Sequence, residues 1–259
     1  MPAPEALGFP VLEPRRSSRP PGTDKAGKAV ERNAIMPKLI DLTLTLGSPR
    51  VSAVPGLIGV TMSPLQTHES HTRSNTKLTL ATHIGTHVDA PYHFHPDGTT
   101  VDDMPLERYM GPALLLDLRQ SAQSKTPISV ADLEQAGAAP GTIKDNIVVL
   151  FTGWAHNESG KEGFYSDGPY LSTEGAGYLA RHEVNAVAVD FPIDKHPPTP
   201  QSTMSDFPVH RLLLGLGIPL IENLINLDQL VGFNFELWAL PLKLKGGDGA
   251  AARAVARIL

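Results

Sequence analysis

The chain has 259 residues, of which 41% are hydrophobic, and it is long enough to bury a core as one domain. A formal net charge of −5 gives no basic footprint for nucleic acid, and no apolar run reaches the roughly 18 residues that a membrane span needs. The lack of cysteine excludes disulfides and thiolate metal sites and favours a cytoplasmic location.

Residues 1–36 differ in composition from the rest of the chain. Prolines are mixed there with arginines and lysines, and the continuous apolar core of a signal peptide is missing. This composition predicts a flexible N-terminal arm, with an arm pinned along a partner subunit as the alternative. The globular pattern follows it, so we predict one domain over residues 37–259.

The first predicted elements lead towards the most informative part of the chain. Alternating apolar residues predict a strand over 39–46, followed by a long irregular segment over 50–72. A loop of that length is often functional, and we expect it to form a lid or a wall of a substrate pocket. His68 and His71 in this loop are expected to be solvated, because no other ligand types cluster with them. A strand over 77–81 comes next.

A short run of imidazoles and one carboxylate follows that strand. His87 and Asp89 lie on one face of an extended chain, about 6.6 Å apart, and could share an ion. His83 can join them only if the chain bends, which Gly85 permits. We therefore predict a bent strand-to-loop cradle for a catalytic divalent ion, either Zn²⁺, Mn²⁺ or Fe²⁺. His93 would be a further ligand or the base that takes a proton from water.

Strands and helices alternate after this run. The pattern predicts strands over 112–118, 146–151 and 185–190, helices over 129–135 and 172–181, and a terminal hairpin of 237–244 and 253–259. Their order predicts a parallel pair of strands with a right-handed crossover. Sites in such units gather beyond the carboxyl ends of strands, so Trp154 and residues 190–194 are candidates to face a substrate. Trp154 could equally be a packing residue.

A helix and a strand in the last third carry two further polar candidates. Asp206 and Pro208 start the helix, His210 lies in its early turns, and Gly217 stops it. Glu222 lies in a strand over 218–224 between apolar neighbours. Because an unpaired buried carboxylate is costly, this position predicts a nearby cation. An exposed strand end is the alternative for Glu222.

Residues 83–94 form the pattern His-x-Gly-Thr-His-x-Asp-x-Pro-x-His-Phe, which resembles the signature of the metal-dependent cyclase family. That family includes bacterial kynurenine formamidases and isatin hydrolases. The resemblance covers about residues 38–259, because a helix with a His followed by a strand with a Glu also matches. It implies an α/β fold, namely a single-domain swivelling β/β/α-type cyclase fold with a mixed sheet flanked by helices.

The resemblance also implies a ligand set. His83, His87 and Asp89 would hold one divalent ion, and Asp89, His210 and Glu222 would hold a second. It further implies a homodimer or a higher homo-oligomer.

We therefore predict a metal-dependent hydrolase that cleaves an amide-type C–N bond, of the arylformamidase or kynurenine formamidase kind. One or two Zn²⁺ or Mn²⁺ ions per chain would activate water, and His93 would pass a proton to the leaving nitrogen. The Gly-x-Ser-x-Gly motif is missing, so a serine hydrolase has no support. Two alternatives stay open: a cyclic amide hydrolase of the isatin hydrolase or lactamase kind, and a non-catalytic metal-stabilised binding domain.

Overall fold

The computed structural model describes residues 37–195, 199 and 201–259. Its strands are β1 Leu39–Asp41, β2 Thr61–Gln66, β3 Asn75–Thr79, β4 His87–Asp89, β5 Met110–Asp117, β6 Pro127–Ile128, β7 Ile147–Phe151, β8 Tyr170–Leu171, β9 Ala186–Val189, β10 Leu220–Glu222, β11 Phe235–Pro241 and β12 Gly249–Ile258. Its α-helices are α1 His68–His71, α2 Val130–Gln135, α3 Pro140–Ile143, α4 Trp154–Glu158, α5 Thr173–Arg181 and α6 Pro208–Gly215. The predicted arm over 1–36 lies outside the described residues.

The main sheet is a closed ring of seven strands. Around the ring the order is β4, β12, β11, β5, β7, β9 and β10, and β10 pairs with β4 again. β5, β7, β9 and β10 run parallel to one another, and the remaining pairs in the ring are antiparallel. β1 pairs with the C-terminal part of β12, residues 255–257, and is antiparallel to it. The predicted mixed sheet and the parallel pair are confirmed; ring closure was not predicted.

Two apolar clusters cover the two faces of this sheet. Along β7, Ile147, Val149 and Phe151 belong to the cluster inside the ring. Val148 and Leu150 point the other way and pack against α5 and α6. A strand that is apolar on both faces is typical of a parallel sheet with helices packed on it. The central parallel strands are therefore the rigid frame on which the polar side chains described below are held.

Several predicted elements are confirmed. Helix α2 starts at the capping box of Ser129 and Asp132, and α5 starts where Ser172 accepts the backbone N–H of Gly175. Helix α6 begins at Pro208, and β11 and β12 form the terminal hairpin; β12 starts earlier and is longer than predicted, whereas β11 covers 235–241 in place of 237–244.

Two segments differ from the prediction. Ile40, Leu42 and Leu44 are buried as the alternation requires, but the strand ends at Asp41. Beyond Asp41 side chains replace the regular ladder, because the backbone N–H of Ala254 donates to the Thr43 hydroxyl and that of Leu44 donates to the Thr86 hydroxyl. The prediction of an irregular 50–72 segment is wrong for its second half, which contains β2 and α1. His68 and His71 are exposed, as predicted.

Helices in the described part of the chain are too short and too polar to cross a membrane.

Candidate metal centre

A tight turn brings the first three candidate ligands together. Gly85 has φ +61°, a left-handed conformation that favours glycine, and a Cβ there would lie 2.9 Å from the Leu46 side chain. The turn lets His87 donate from Nδ1 to the Gly85 carbonyl oxygen at 2.8 Å, which leaves Nε2 free as a ligand atom. The predicted bend at Gly85 is confirmed.

The register of the sheet brings Glu222 to this turn. β10 pairs with β4 so that Glu222 lies opposite His87 and Leu220 lies opposite Asp89. Val88 and Ile221 belong to the cluster inside the ring, so the polar residues that alternate with them point to the outer, helix-covered face. Helix α6 packs on that face and brings His210 there. Glu222 is buried, which excludes the exposed strand end.

The first candidate ligand group is formed by His83, His87 and Asp89. His83 Nδ1 lies 2.7 Å from Asp89 Oδ1, and His87 Nε2 lies 3.2 Å from the same oxygen. A tetrahedral ion with bonds of about 2.1 Å would separate its ligands by about 3.4 Å. These three atoms are therefore close to the spacing that one small divalent ion requires.

The second candidate group uses the other Asp89 oxygen. His210 Nε2 lies 3.4 Å from Asp89 Oδ2 and 3.4 Å from Glu222 Oε1. Both of these oxygens are buried and have no hydrogen-bond partner in the described part of the chain. Buried polar atoms are rarely left without a partner, so a cation between the three residues would satisfy them. The donor set, one imidazole and two carboxylates, suits Zn²⁺ or Mn²⁺.

The pKa values of the clustered side chains indicate that their surroundings stabilise positive charge. Burial alone would lower the pKa of His83, but the carboxylates of Asp89 and Asp248 raise it to about 10. Burial would raise the pKa of Asp89, but the imidazoles beside it hold that pKa well below its usual range. The pKa of His210 lies well above its usual value, because bonds to carboxylates, with Asp194 first, outweigh burial. A site that draws protons onto imidazoles suits a bound cation.

His93 lies in a short 3₁₀ turn, Pro91–His93, immediately after β4. Its ring stacks on His83 with 3.7 Å between centroids. It belongs to neither of the two groups that share Asp89, but with His83 and Asp248 it forms a third set of side chains close enough to hold an ion. Burial, joined by the charges of His83 and His210, lowers the pKa of His93 to about 3, so the ring is neutral near pH 7.

Two further carboxylates contact two of the candidate ligand imidazoles. Asp194 lies 2.5 Å from His210 Nδ1 and also accepts the backbone N–H groups of Val209 and His210. Asp194 was one of the residues predicted to lie at a strand end facing the site. Asp248 lies 3.1 Å from His83 Nε2, and sequence reasoning missed it. It precedes β12, far away in the chain, and no local pattern marks it.

The cluster opens into a cavity of about 520 Å³. Its polar floor carries the ligand candidates, and its walls are largely apolar, formed among others by Val54, Leu57, Phe94, Tyr165, Ile193 and Phe207. The predicted contribution of the 50–72 segment is thus confirmed for residues 54–57. Trp154 does not line this cavity; its indole donates to the Phe164 carbonyl oxygen, and the ring packs against the helix-side cluster. The prediction that residues 190–194 face the site is confirmed for residues 192–194, which line the cavity, whereas Asp190 accepts hydrogen bonds from Thr152 and Gly153 instead.

Comparison with solved structures matches this fold to isatin hydrolase A from Labrenzia aggregata bound to benzyl benzoate. The TM-score is 0.73 at 24% identity, and the match covers 85% of this chain and 93% of the other. Isatin hydrolase A from Ralstonia solanacearum gives 0.71 at 24% identity, covering 85% and 91%. At this identity the likeness shows a shared fold.

Comparison of sequences gives nearer relatives. The kynurenine formamidase of Salinibacter ruber is 32% identical over 222 residues, covering 85% of this chain and 97% of the relative. The kynurenine formamidase of Erythrobacter litoralis is 34% identical over 187 residues, covering 71% and 76%. The family model described as putative cyclase matches residues 40–193, which include the turn at Gly85 and the parallel strands β5, β7 and β9. The chain therefore belongs to the cyclase family.

Proposed function

We propose that the chain is a metal-dependent amidohydrolase. The observation that carries this proposal is the pair of ligand groups that share Asp89 at the floor of an apolar cavity. Relatives named kynurenine formamidase, at 32% and 34% identity over most of this chain, support the amide bond as the target.

Five side chains are proposed as ligands. His83, His87 and Asp89 would hold one divalent ion, and Asp89, His210 and Glu222 would hold a second. Zn²⁺ and Mn²⁺ both suit imidazole and carboxylate donors. The distances between the donor atoms support this assignment, and so do Asp89 Oδ2 and Glu222 Oε1, which have no hydrogen-bond partner among the described residues.

The bound ion would supply activation of water and polarisation of the substrate carbonyl. The chain's own residues would do the remaining work. His93, neutral and half-buried beside the ligands, is placed to take a proton at one ring nitrogen and to return it to the leaving nitrogen. Phe94 and Phe207 pack near His210 on the wall of the cavity, where they can hold an apolar group of the substrate and limit water.

An arylformamide is the substrate class that we favour. The cavity is large enough for an aromatic ring with a short side chain, and its walls are apolar and aromatic. The names of the sequence relatives support a linear formamide over a cyclic amide. Isatin is the alternative, since the isatin hydrolases share the fold.

The test is turnover of N-formylkynurenine and of isatin by protein loaded with Zn²⁺ or Mn²⁺, next to protein stripped with a chelator. We expect metal-dependent hydrolysis of N-formylkynurenine. Hydrolysis of isatin alone would reverse the substrate assignment. Stoichiometric metal with no turnover of any member of an amide and ester panel would favour a binding domain instead.

A homodimer or a higher homo-oligomer is the proposed assembly. The hairpin formed by β2 and β3 supports it, because every residue of β3 and nearly every residue of β2 is exposed. Met62, Leu65 and Leu78 in this hairpin are exposed apolar side chains. Two isolated strands are marginally stable in water, so an apolar partner would stabilise them.

A further inference from the structure

Asp248 occupies a fixed position beside the first ligand group. Its carbonyl oxygen accepts the backbone N–H of Ala90 at 2.9 Å, and the next residue, Gly249, pairs with Asp89 across β12 and β4. The Gly247 carbonyl oxygen accepts the backbone N–H of Val101 at 2.8 Å. These bonds anchor the backbone on both sides of Asp248, so the start of β12 cannot drift away from the ligands.

Close packing brings the same segment against the His83 ring. A Cβ at Gly249 would lie 2.5 Å from the Val88 carbonyl oxygen and 2.7 Å from His83 Cε1. Glycine at this position therefore lets the ring rest directly on the backbone of β12. The side chain of Asp248 then reaches the far nitrogen of that ring, with 3.1 Å between Oδ2 and His83 Nε2.

The far nitrogen of His83 needs an acceptor. Nδ1 of this ring faces Asp89 and is the atom proposed as a metal ligand, so the proton of the ligating ring must sit on Nε2. His83 Nε2 is buried, and no well-aligned hydrogen bond reaches it in the described part of the chain. The Asp248 side chain is 39% exposed, so it is free to rotate slightly and align the 3.1 Å contact. Histidine ligands of metals usually donate their second N–H to such an acceptor.

We propose that Asp248 is a positioning residue, whose carboxylate accepts the Nε2–H of His83 and holds the ring with Nδ1 towards Asp89. The proposal rests on the proposed function, since it assigns a role around the first ion. The same carboxylate oxygen lies 4.0 Å from His93 Nδ1, too far for a hydrogen bond, so its direct action is on His83. Asp194 makes the corresponding contact with His210 in the second group.

Metal affinity, measured by competition with a chelator, tests this role separately from activity. We expect Asp248→Ala to weaken binding of one ion about 10- to 100-fold and to leave the other ion unchanged. Asp248→Asn keeps an acceptor oxygen without the charge, so it should restore most of the affinity. The Co²⁺ absorption spectrum should change in the Ala variant and return towards wild type in the Asn variant. Asp228→Asn, at an exposed carboxylate elsewhere, is the matched control.

Three results would overturn the proposal. Unchanged metal affinity in Asp248→Ala would show that Asp248 does not position His83. Equal weakening in the Asn and Ala variants would show an effect of charge rather than of orientation. If the Ala variant binds one ion fewer per chain and keeps its affinity for the remaining ion, Asp248 would instead be a ligand. His83 and His93 lie close enough to share such an ion with it. If the Ala variant does not fold, Asp248→Ser, whose side chain is too short to reach, replaces it. A wild-type protein that binds no metal would instead refute the proposed function.

Discussion

Asp89 contributes one carboxylate oxygen to each of two candidate ligand groups, whereas His210 belongs to one of them. We expect wild-type protein to carry two divalent ions per chain. Asp89→Asn should carry none, because a neutral amide replaces the bridging carboxylate. His210→Ala should keep one, since the first group remains complete. Elemental analysis of protein freed from unbound metal measures the ratio, and equal metal loss in the two variants would contradict the bridging role.

Substitution of His93 can distinguish a role in proton transfer from a role in metal binding. We expect His93→Ala to lower kcat about 10²- to 10⁴-fold, the usual contribution of a general acid–base group, while the metal content stays at the wild-type value. His68→Ala, at an exposed histidine, should change neither quantity. Metal loss in the His93 variant would identify it as a ligand, which is the other role that its position in the sequence leaves open.

Single residues also show how far the sequence alone could predict the site. The turn at Gly85 and the three candidate ligands around it lie within a short run, so local geometry was enough to predict that they come together. Glu222 could be suspected from its apolar neighbours, because a buried charge needs a partner. Asp248 could not be found this way, since only the pairing of β12 with β4 brings it to His83.

The start of β12 is the element whose close packing supports the first ligand group. Gly249→Ala would put a methyl group 2.5 Å from the Val88 carbonyl oxygen, so we expect a loss of about 1–3 kcal/mol in the free energy of unfolding. Gly141→Ala in helix α3 meets nothing within 4 Å and should leave that free energy within about 0.5 kcal/mol. Urea unfolding curves of the two variants test this. Equal midpoints would show that β12 can move away from His83 at no cost.

Elements that pack on the core were predictable, and elements held by other contacts were not. β7 and β9 are continuous apolar runs, and both form where the pattern places them. β2 has Pro64 and polar residues and contacts no core, so its strand exists through pairing with β3 rather than through an apolar pattern. The closed ring depends on pairing between β4 and β12. Both paired segments are short and consist of polar or small residues, so the sequence does not indicate that they pair.

The hairpin of β2 and β3 matters at the scale of the whole molecule. Residues 54–57, which precede β2, form part of the cavity wall, so contacts of the hairpin can also influence access to the site. Leu65 in β2 is 58% exposed, and Leu216 after α6 is 62% exposed. The two leucines therefore make a matched pair, one inside the proposed interface and one outside it.

We expect light scattering after gel filtration to give at least about twice the 27.8 kDa chain mass for the wild type. Leu65→Lys would bury an unpaired ammonium group in the proposed interface, and it should weaken association at least about tenfold, or about 1.4 kcal/mol. Leu216→Lys should leave the mass unchanged. A dimer that tolerates the Leu65 substitution and dissociates with the Leu216 substitution would move the interface to the end of α6. A wild-type protein that stays at the mass of one chain at all concentrations would mean that the hairpin persists exposed without a second copy.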